Sequence, residues 1–295
     1  MEQNLVFSSN SFLGAELIEC LKKKNIKVIG TTRRKSEVSG DCLFLDLDDE
    51  DSNYNIPKDI HHAYLLAGRW GYQECEKDPD AWRVNVINMT RLAKILLEQD
   101  IFVTFVSSNT VFGGERPWCN EDDFHDPLFA YAQHKAAAEA AISELAVNLN
   151  KMNSFNIVRL TKILGIQTSP IPDWIGSLER GELINPFKDL IFAPISVRYT
   201  AESLAKIGQL RISGNFHISG SENIPYDEFL IKLAEGLGFR YINSKSTTSI
   251  KMNINIPFKP TYSGLGMERT NALTGLEPQS LENLIQDLND QYKAL

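Results

Sequence analysis

The sequence predicts an α/β fold built on a doubly wound parallel sheet, and three observations predict it. Short apolar runs alternate with helix-length segments through the first half of the chain. Those runs lack the strict in/out alternation of a half-exposed sheet, as strands covered on both faces require. After about residue 161 the rhythm gives way to irregular, proline-containing stretches.

Leu5-Val6-Phe7 reads as the first strand, and Leu13 to Lys24 follows as a helix with Leu13, Leu17, Ile18 and Leu21 on one face. Val28-Ile29-Gly30, Leu43-Phe44-Leu45 and Tyr64-Leu65-Leu66 read as further strands, with His61-His62 just before the last. A helix over Asp80 to Gln99 turns Trp82, Val86, Met89, Leu92, Ala93 and Leu96 or Leu97 to the core. Phe102 to Val106 is a strand, Tyr131 to Leu149 an alanine-rich helix, and Ile157 to Leu160 another strand. Segments such as Thr168 to Pro172 and Asn185-Pro186-Phe187 build a smaller lobe. The expected division is therefore 1–161 for the main domain and 162–295 for a lobe, some of whose segments return to the main sheet.

A chain of 295 residues with 43% hydrophobic content can bury a large core, and its formal charge of −8 argues against nucleic acid or a membrane surface as partner. Met1-Glu2-Gln3-Asn4 leads into the first strand without a basic region, and the apolar runs are too short to span a bilayer, so a cytoplasmic location is expected. Cys20, Cys42, Cys75 and Cys119 are scattered and read as reduced thiols, and the histidines show no metal-ligand spacing.

In a doubly wound sheet the first strand-to-helix turn holds the pyrophosphate of a dinucleotide against the helix N-terminus. Here the turn runs from Phe7 to Gly14 through Ser8, Ser11, Phe12 and Leu13. It fits the spacing of a G-x-x-G-x-x-G loop, but serines hold the first two glycine positions and only Gly14 remains. A serine forced to positive φ costs about 1–3 kcal/mol, part of which hydroxyl bonds to phosphate can return. An ordinary polar turn with Asn10 or Ser11 as N-cap is the alternative. The second strand ends in Thr31-Thr32-Arg33-Arg34 with no acid for a ribose 2′-hydroxyl, so the arginines favour NADP, NAD remaining an option. Asp46, after the third strand, is a candidate neighbour of the adenine ring or else a loop acid.

Tyr131 and Lys135 open the alanine-rich helix four residues apart, on one face. A cation beside a phenol favours phenolate and suits it to general acid or base work. Tyr54 and Lys58 have the same spacing, but Pro57 between them argues against a shared helix face. Ser108, just beyond the strand Phe102 to Val106, can hydrogen-bond a substrate oxygen while Tyr131 transfers the proton; Ser107 and Thr110 read as structural, with Thr110 a lesser candidate for the same role. Arg69-Trp70-Gly71-Tyr72 is a candidate border of the nicotinamide or an anchored loop, and Lys162, Arg180 and Arg198 are candidate cations for a diphosphate or surface charges.

Taken together these segments resemble the extended short-chain dehydrogenase/reductase superfamily, in its nucleotide-sugar branch, and most of all its dTDP-4-dehydrorhamnose reductase group. The likeness is carried by Leu66-Ala67-Gly68, by Asp78-Pro79 with Asn85-Val86, by Val111 to Gly114 with Glu121, Pro127, Tyr131 and Lys135, and by Gly214 to Gly220 with Tyr226, Phe229 and Leu237-Gly238. It implies a Rossmann-type dinucleotide-binding domain, with Ser108, Tyr131 and Lys135 catalytic. It also implies Ser8, Ser11, Phe12, Leu13, Gly14, Thr32, Arg33, Arg34, Asp46, Ala67, Tyr131 and Lys135 toward the cofactor. Ser8 and Ser11 depart from the pattern and expose cofactor affinity; Ala132 stands where glycine is usual. Asn109 and Thr110 replace the Asp-Glu pair of the dehydratases, which argues against dehydration. The expected activity is reduction of a keto group on a nucleotide-linked sugar. Epimerisation of such a sugar, or a non-catalytic descendant that binds a nucleotide sugar or a protein, are the alternatives, and a homodimer is an option.

Overall fold

A computed structural model describes residues 3–49 and 54–295; Met1 and Glu2 lie outside it, as does the Tyr72 side chain. The chain forms a Rossmann-type α/β fold around a seven-stranded sheet in the order β10-β6-β5-β4-β1-β2-β3, parallel throughout. Its strands are β1 (Gln3–Phe7), β2 (Lys27–Thr32), β3 (Cys42–Phe44), β4 (Ile60–Leu65), β5 (Phe102–Ser108), β6 (Phe155–Leu160) and β10 (Gly214–Ile218). Around them run α1 (Phe12–Lys23), α2 (Tyr72–Lys77), α3 (Met89–Glu98), α4 (Ala130–Asn148) and α6 (Val197–Leu210).

The pleat divides each strand between two cores. In β1, Leu5 and Phe7 face one side, where they join Leu92 and Leu96 of α3 and Ile142 of α4, while Val6 faces Leu17 and Leu21 of α1 and Leu204 of α6 on the other. Phe105 and Val106 of β5, and Ile157 and Val158 of β6, divide the same way. Side chains buried on both faces explain why the strand sequences read as continuous apolar runs. The residues after β6 add β7 (Lys162–Leu164), α5 (Ile171–Arg180), β8 (Ile191–Phe192), β9 (Pro194–Ser196), β11 (Ile224–Pro225), α7 (Tyr226–Gly236), α8 (Glu268–Thr274) and α9 (Leu281–Lys293). A third core under these elements gathers Trp174, Phe192, Phe229 and Leu284.

The structure corrects two local expectations and agrees with a third. His61 and His62 do not precede β4 but lie in it. The His62 ring is buried, 2.8 Å from Thr104 Oγ1, because α6 presses Gly208 onto β4 so closely that a Cβ there would lie 2.3 Å from the ring. The helix expected over Asp80 to Gln99 starts at Ala81 and passes through a π-helical segment, Arg83–Asn88, before α3. That shift in pitch takes Trp82 off the core face and leaves it 44% exposed. Tyr54 and Lys58 lie in a stretch without regular structure, as Pro57 requires.

Candidate active site

The turn between β1 and α1 is built by serine hydroxyls. Ser8 adopts φ 61° and donates its N–H to Thr31 Oγ1 at 3.1 Å. Ser11 is the N-cap of α1: its Oγ accepts the Gly14 N–H at 3.1 Å and donates to the Ser8 carbonyl at 2.7 Å. Gly14 is required by close approach, since a Cβ there would stand 2.2 Å from the Ser8 carbonyl oxygen. The Phe12 and Leu13 amides, the first two of α1, have no hydrogen-bond partner among the described residues, and the first turn carries no acid. Unsatisfied amides at the positive end of a helix dipole suit an anion. The Leu13 side chain is buried in the core, so any part it takes there is through its backbone.

A cleft of about 900 Å³ opens beside this turn. Of the residues expected toward a cofactor, Ser8, Ser11, Thr32, Arg33, Arg34, Asp46 and Ala67 line it; Phe12, Leu13, Gly14, Tyr131 and Lys135 do not. Asp46 Oδ1 accepts the Asp48 N–H at 3.0 Å, which shapes the loop after β3. Arg69 is an anchored residue: its guanidinium pairs with Asp48 at 2.8 Å and with Asp78, while Trp70 beside it lines the cleft with 81% of its surface exposed. Asn85, inside the π-helical turn, clamps the Gly68-Arg69 segment by accepting the Arg69 N–H at 2.7 Å and donating to the Arg69 carbonyl at 2.8 Å.

Ser108 ends β5, and its Oγ accepts from the Thr110 N–H at 3.2 Å and from Thr110 Oγ1 at 2.9 Å. Tyr131 sits in the first turn of α4 with its ring stacked 6.5 Å from that of Phe129. One turn on, the Lys135 ammonium donates to the Val106 carbonyl at 2.8 Å and lies 4.8 Å from the Phe105 ring centroid. This bond ties α4 to β5 two residues before Ser108. Burial pushes the Lys135 amine down to about 8, against the opposing pull of Glu139 and Cys75.

Several residues around the site were not found by sequence reasoning. Glu76 of α2 accepts the Ala130 N–H at 2.9 Å and so caps α4, whose own N-cap, Phe129, supplies no side-chain bond. Glu139, one turn beyond Lys135, is buried against Arg159 at 2.8 Å. Glu37, in a 3₁₀ turn after β2, accepts from Thr32 Oγ1 at 2.8 Å. Glu139 is four residues after Lys135, a spacing that was there to be read; Glu76 and Glu37 meet partners that only the tertiary fold brings near. Of the candidate diphosphate cations, Arg180 is paired with Glu182 and Arg198 with Asp287 and Asp290, while Lys162 opens β7.

The model of the RmlD substrate binding domain family matches residues 2–294. The chain belongs to this family. Among curated proteins none matches the sequence. Solved structures share the fold of this RmlD family member. A dTDP-4-dehydrorhamnose reductase from Clostridium acetobutylicum superposes with a TM-score of 0.80 at 20% identity, covering 99% of both chains. A dTDP-4-dehydrorhamnose reductase from Bacillus anthracis in complex with NADP gives 0.80 at 20% identity over 97% of this chain and 98% of that one. The protein MoeE5 in complex with UDP-glucose and NAD gives 0.78 at 18% identity over 99% of both.

Proposed function

We propose that this chain is a nicotinamide-dependent reductase of a keto group on a nucleotide-linked sugar. The observation that carries the reading is the bond from Lys135 to Val106, which sets the helix of Tyr131 against the strand end that bears Ser108. Support comes from the anion-suited turn at α1 and from the dTDP-4-dehydrorhamnose reductases and NADP complex among the similar structures. The α1 turn and the cleft beside it fit a dinucleotide: the Phe12 and Leu13 amides would take its pyrophosphate, and Arg33 and Arg34 beside the ribose favour NADP. When bound, the cofactor supplies the hydride.

The chain's own residues then handle the oxygen. Ser108 Oγ, held by Thr110, donates to the substrate carbonyl oxygen and orients it. Tyr131 gives that oxygen its proton as negative charge develops. The Lys135 ammonium stabilises the phenolate left behind and holds the nicotinamide ribose. Residues 162–295 serve mainly to bind the sugar nucleotide.

Titration of the purified chain with NADPH and with NADH, followed by nicotinamide fluorescence, tests the reading. Binding is expected, and Tyr131→Phe is expected to keep it while losing at least about 100-fold in turnover. Absence of binding to either dinucleotide would sink the enzyme reading in favour of a non-catalytic descendant.

A further inference from the structure

Glu37 stands beside the cofactor cleft without a part in the reaction proposed above. The 3₁₀ turn Lys35–Glu37 folds it back onto the end of β2, where its Oε2 accepts from Thr32 Oγ1 and from Asn10 Nδ2, each at 2.8 Å. Its Oε1 accepts from Arg34 Nη1 at 2.7 Å. Asn10 and Thr32 both line the cleft, one from the β1–α1 turn and one from the end of β2. A sheet of this topology receives the adenosine ribose of a dinucleotide between those two segments. The fold therefore supplies, five residues late, the acid missing from the end of β2.

The same contacts divide the two arginines. Arg34 is neutralised by Glu37, whereas exposed Arg33 makes no hydrogen bond or ion pair among the described residues. A 2′-phosphate placed there meets one committed cation, one uncommitted cation and a carboxylate of its own sign. We propose that Glu37 is a specificity-determining residue for the cofactor: it accepts at the ribose and repels a 2′-phosphate, so that the chain takes NADH as well as NADPH and Arg33 supplies what preference for the phosphate remains. The inference rests on the nicotinamide reading above and deepens it.

Glu37→Gln removes the charge and keeps an acceptor for Thr32 and Asn10, so it separates electrostatics from architecture. Fluorescence titrations with NADPH and NADH are run on the wild type, Glu37→Gln and Arg34→Ala, with a thermal melt of each. Because like charges close together near a surface are worth about tenfold in an equilibrium constant, Glu37→Gln is expected to tighten NADPH by about fivefold or more and to leave NADH unchanged or weaker. Arg34→Ala, which strips Glu37 of its counter-charge, is expected to weaken NADPH more than NADH. An unchanged NADPH-to-NADH ratio in a folded Glu37→Gln overturns the proposal, as does equal weakening of both dinucleotides in Arg34→Ala. A wild type that binds neither removes the cofactor reading itself, and this inference with it.

Discussion

Ser8 carries a cost that glycine would not. Its φ of 61° lies in the left-handed region, and it is held there by the Thr31 hydroxyl and by the bond from Ser11 Oγ to its carbonyl. Ser8→Gly is expected to raise stability by about 1 kcal/mol in denaturant unfolding, relief of strain outweighing the entropy glycine adds to the unfolded chain. Lower stability would mean that the hydroxyl compensates the strain in place. Lys135 sets a second expectation at this scale. Its amine is pushed down to about 8, so the ammonium that the proposed mechanism sets beside a Tyr131 phenolate is present below that pH and is lost above it. Turnover should therefore fall as pH rises through about 8, and Lys135→Arg, whose guanidinium keeps its charge, should move that limb upward. The strand end and the helix that carry Ser108, Tyr131 and Lys135 were legible because spacing within one element is local information. The acid at Glu37 was not, because a short 3₁₀ turn decides where that side chain lands.

Among the elements, α4 is tied down on either side of Tyr131 and Lys135. Glu76 of α2 caps its first amide, and Glu139 reaches Arg159 of β6 with both side chains buried. Arg159 also donates to the Glu121 carbonyl at 2.9 Å and toward His217 Nε2 at 3.2 Å, so removing Glu139 strands a charge in a buried network. Glu139→Ala is expected to cost about 3–5 kcal/mol in unfolding free energy, and the double variant with Arg159→Leu to recover part of it. A loss for Glu139→Ala no larger than that of an exposed pair would show that water reaches the arginine. Strands and amphipathic helices could be read from periodicity because the two cores repeat it. The π-helical turn at Arg83–Asn88 could not, since one extra residue in a turn leaves no mark on composition.

Across the whole molecule, burial holds His62 and His217 neutral, each pushed down to about 3. The unfolded chain takes up protons on these rings near the ordinary histidine value, about 6.5, while the folded chain refuses them. Their contribution to stability is complete above that value and is lost as pH falls from there toward about 3. Melting temperatures measured across this window should decline, and less steeply in His62→Gln; a flat profile would contradict neutral burial. Because the strands of the order β10-β6-β5-β4-β1-β2-β3 run parallel, the α1 turn after β1 and the Ser108 end of β5 lie at the same carboxyl-terminal end of the sheet, which is what the proposed reaction needs of cofactor and proton donor. The most direct test of that account is hydride transfer from NADPH deuterated at the transferred position to a 4-keto nucleotide sugar, read by mass spectrometry of the product. The account predicts a reduced sugar that carries the label with the wild type, formed at least about 100-fold more slowly with Tyr131→Phe. Product without label, or product formed equally fast by Tyr131→Phe, would contradict it.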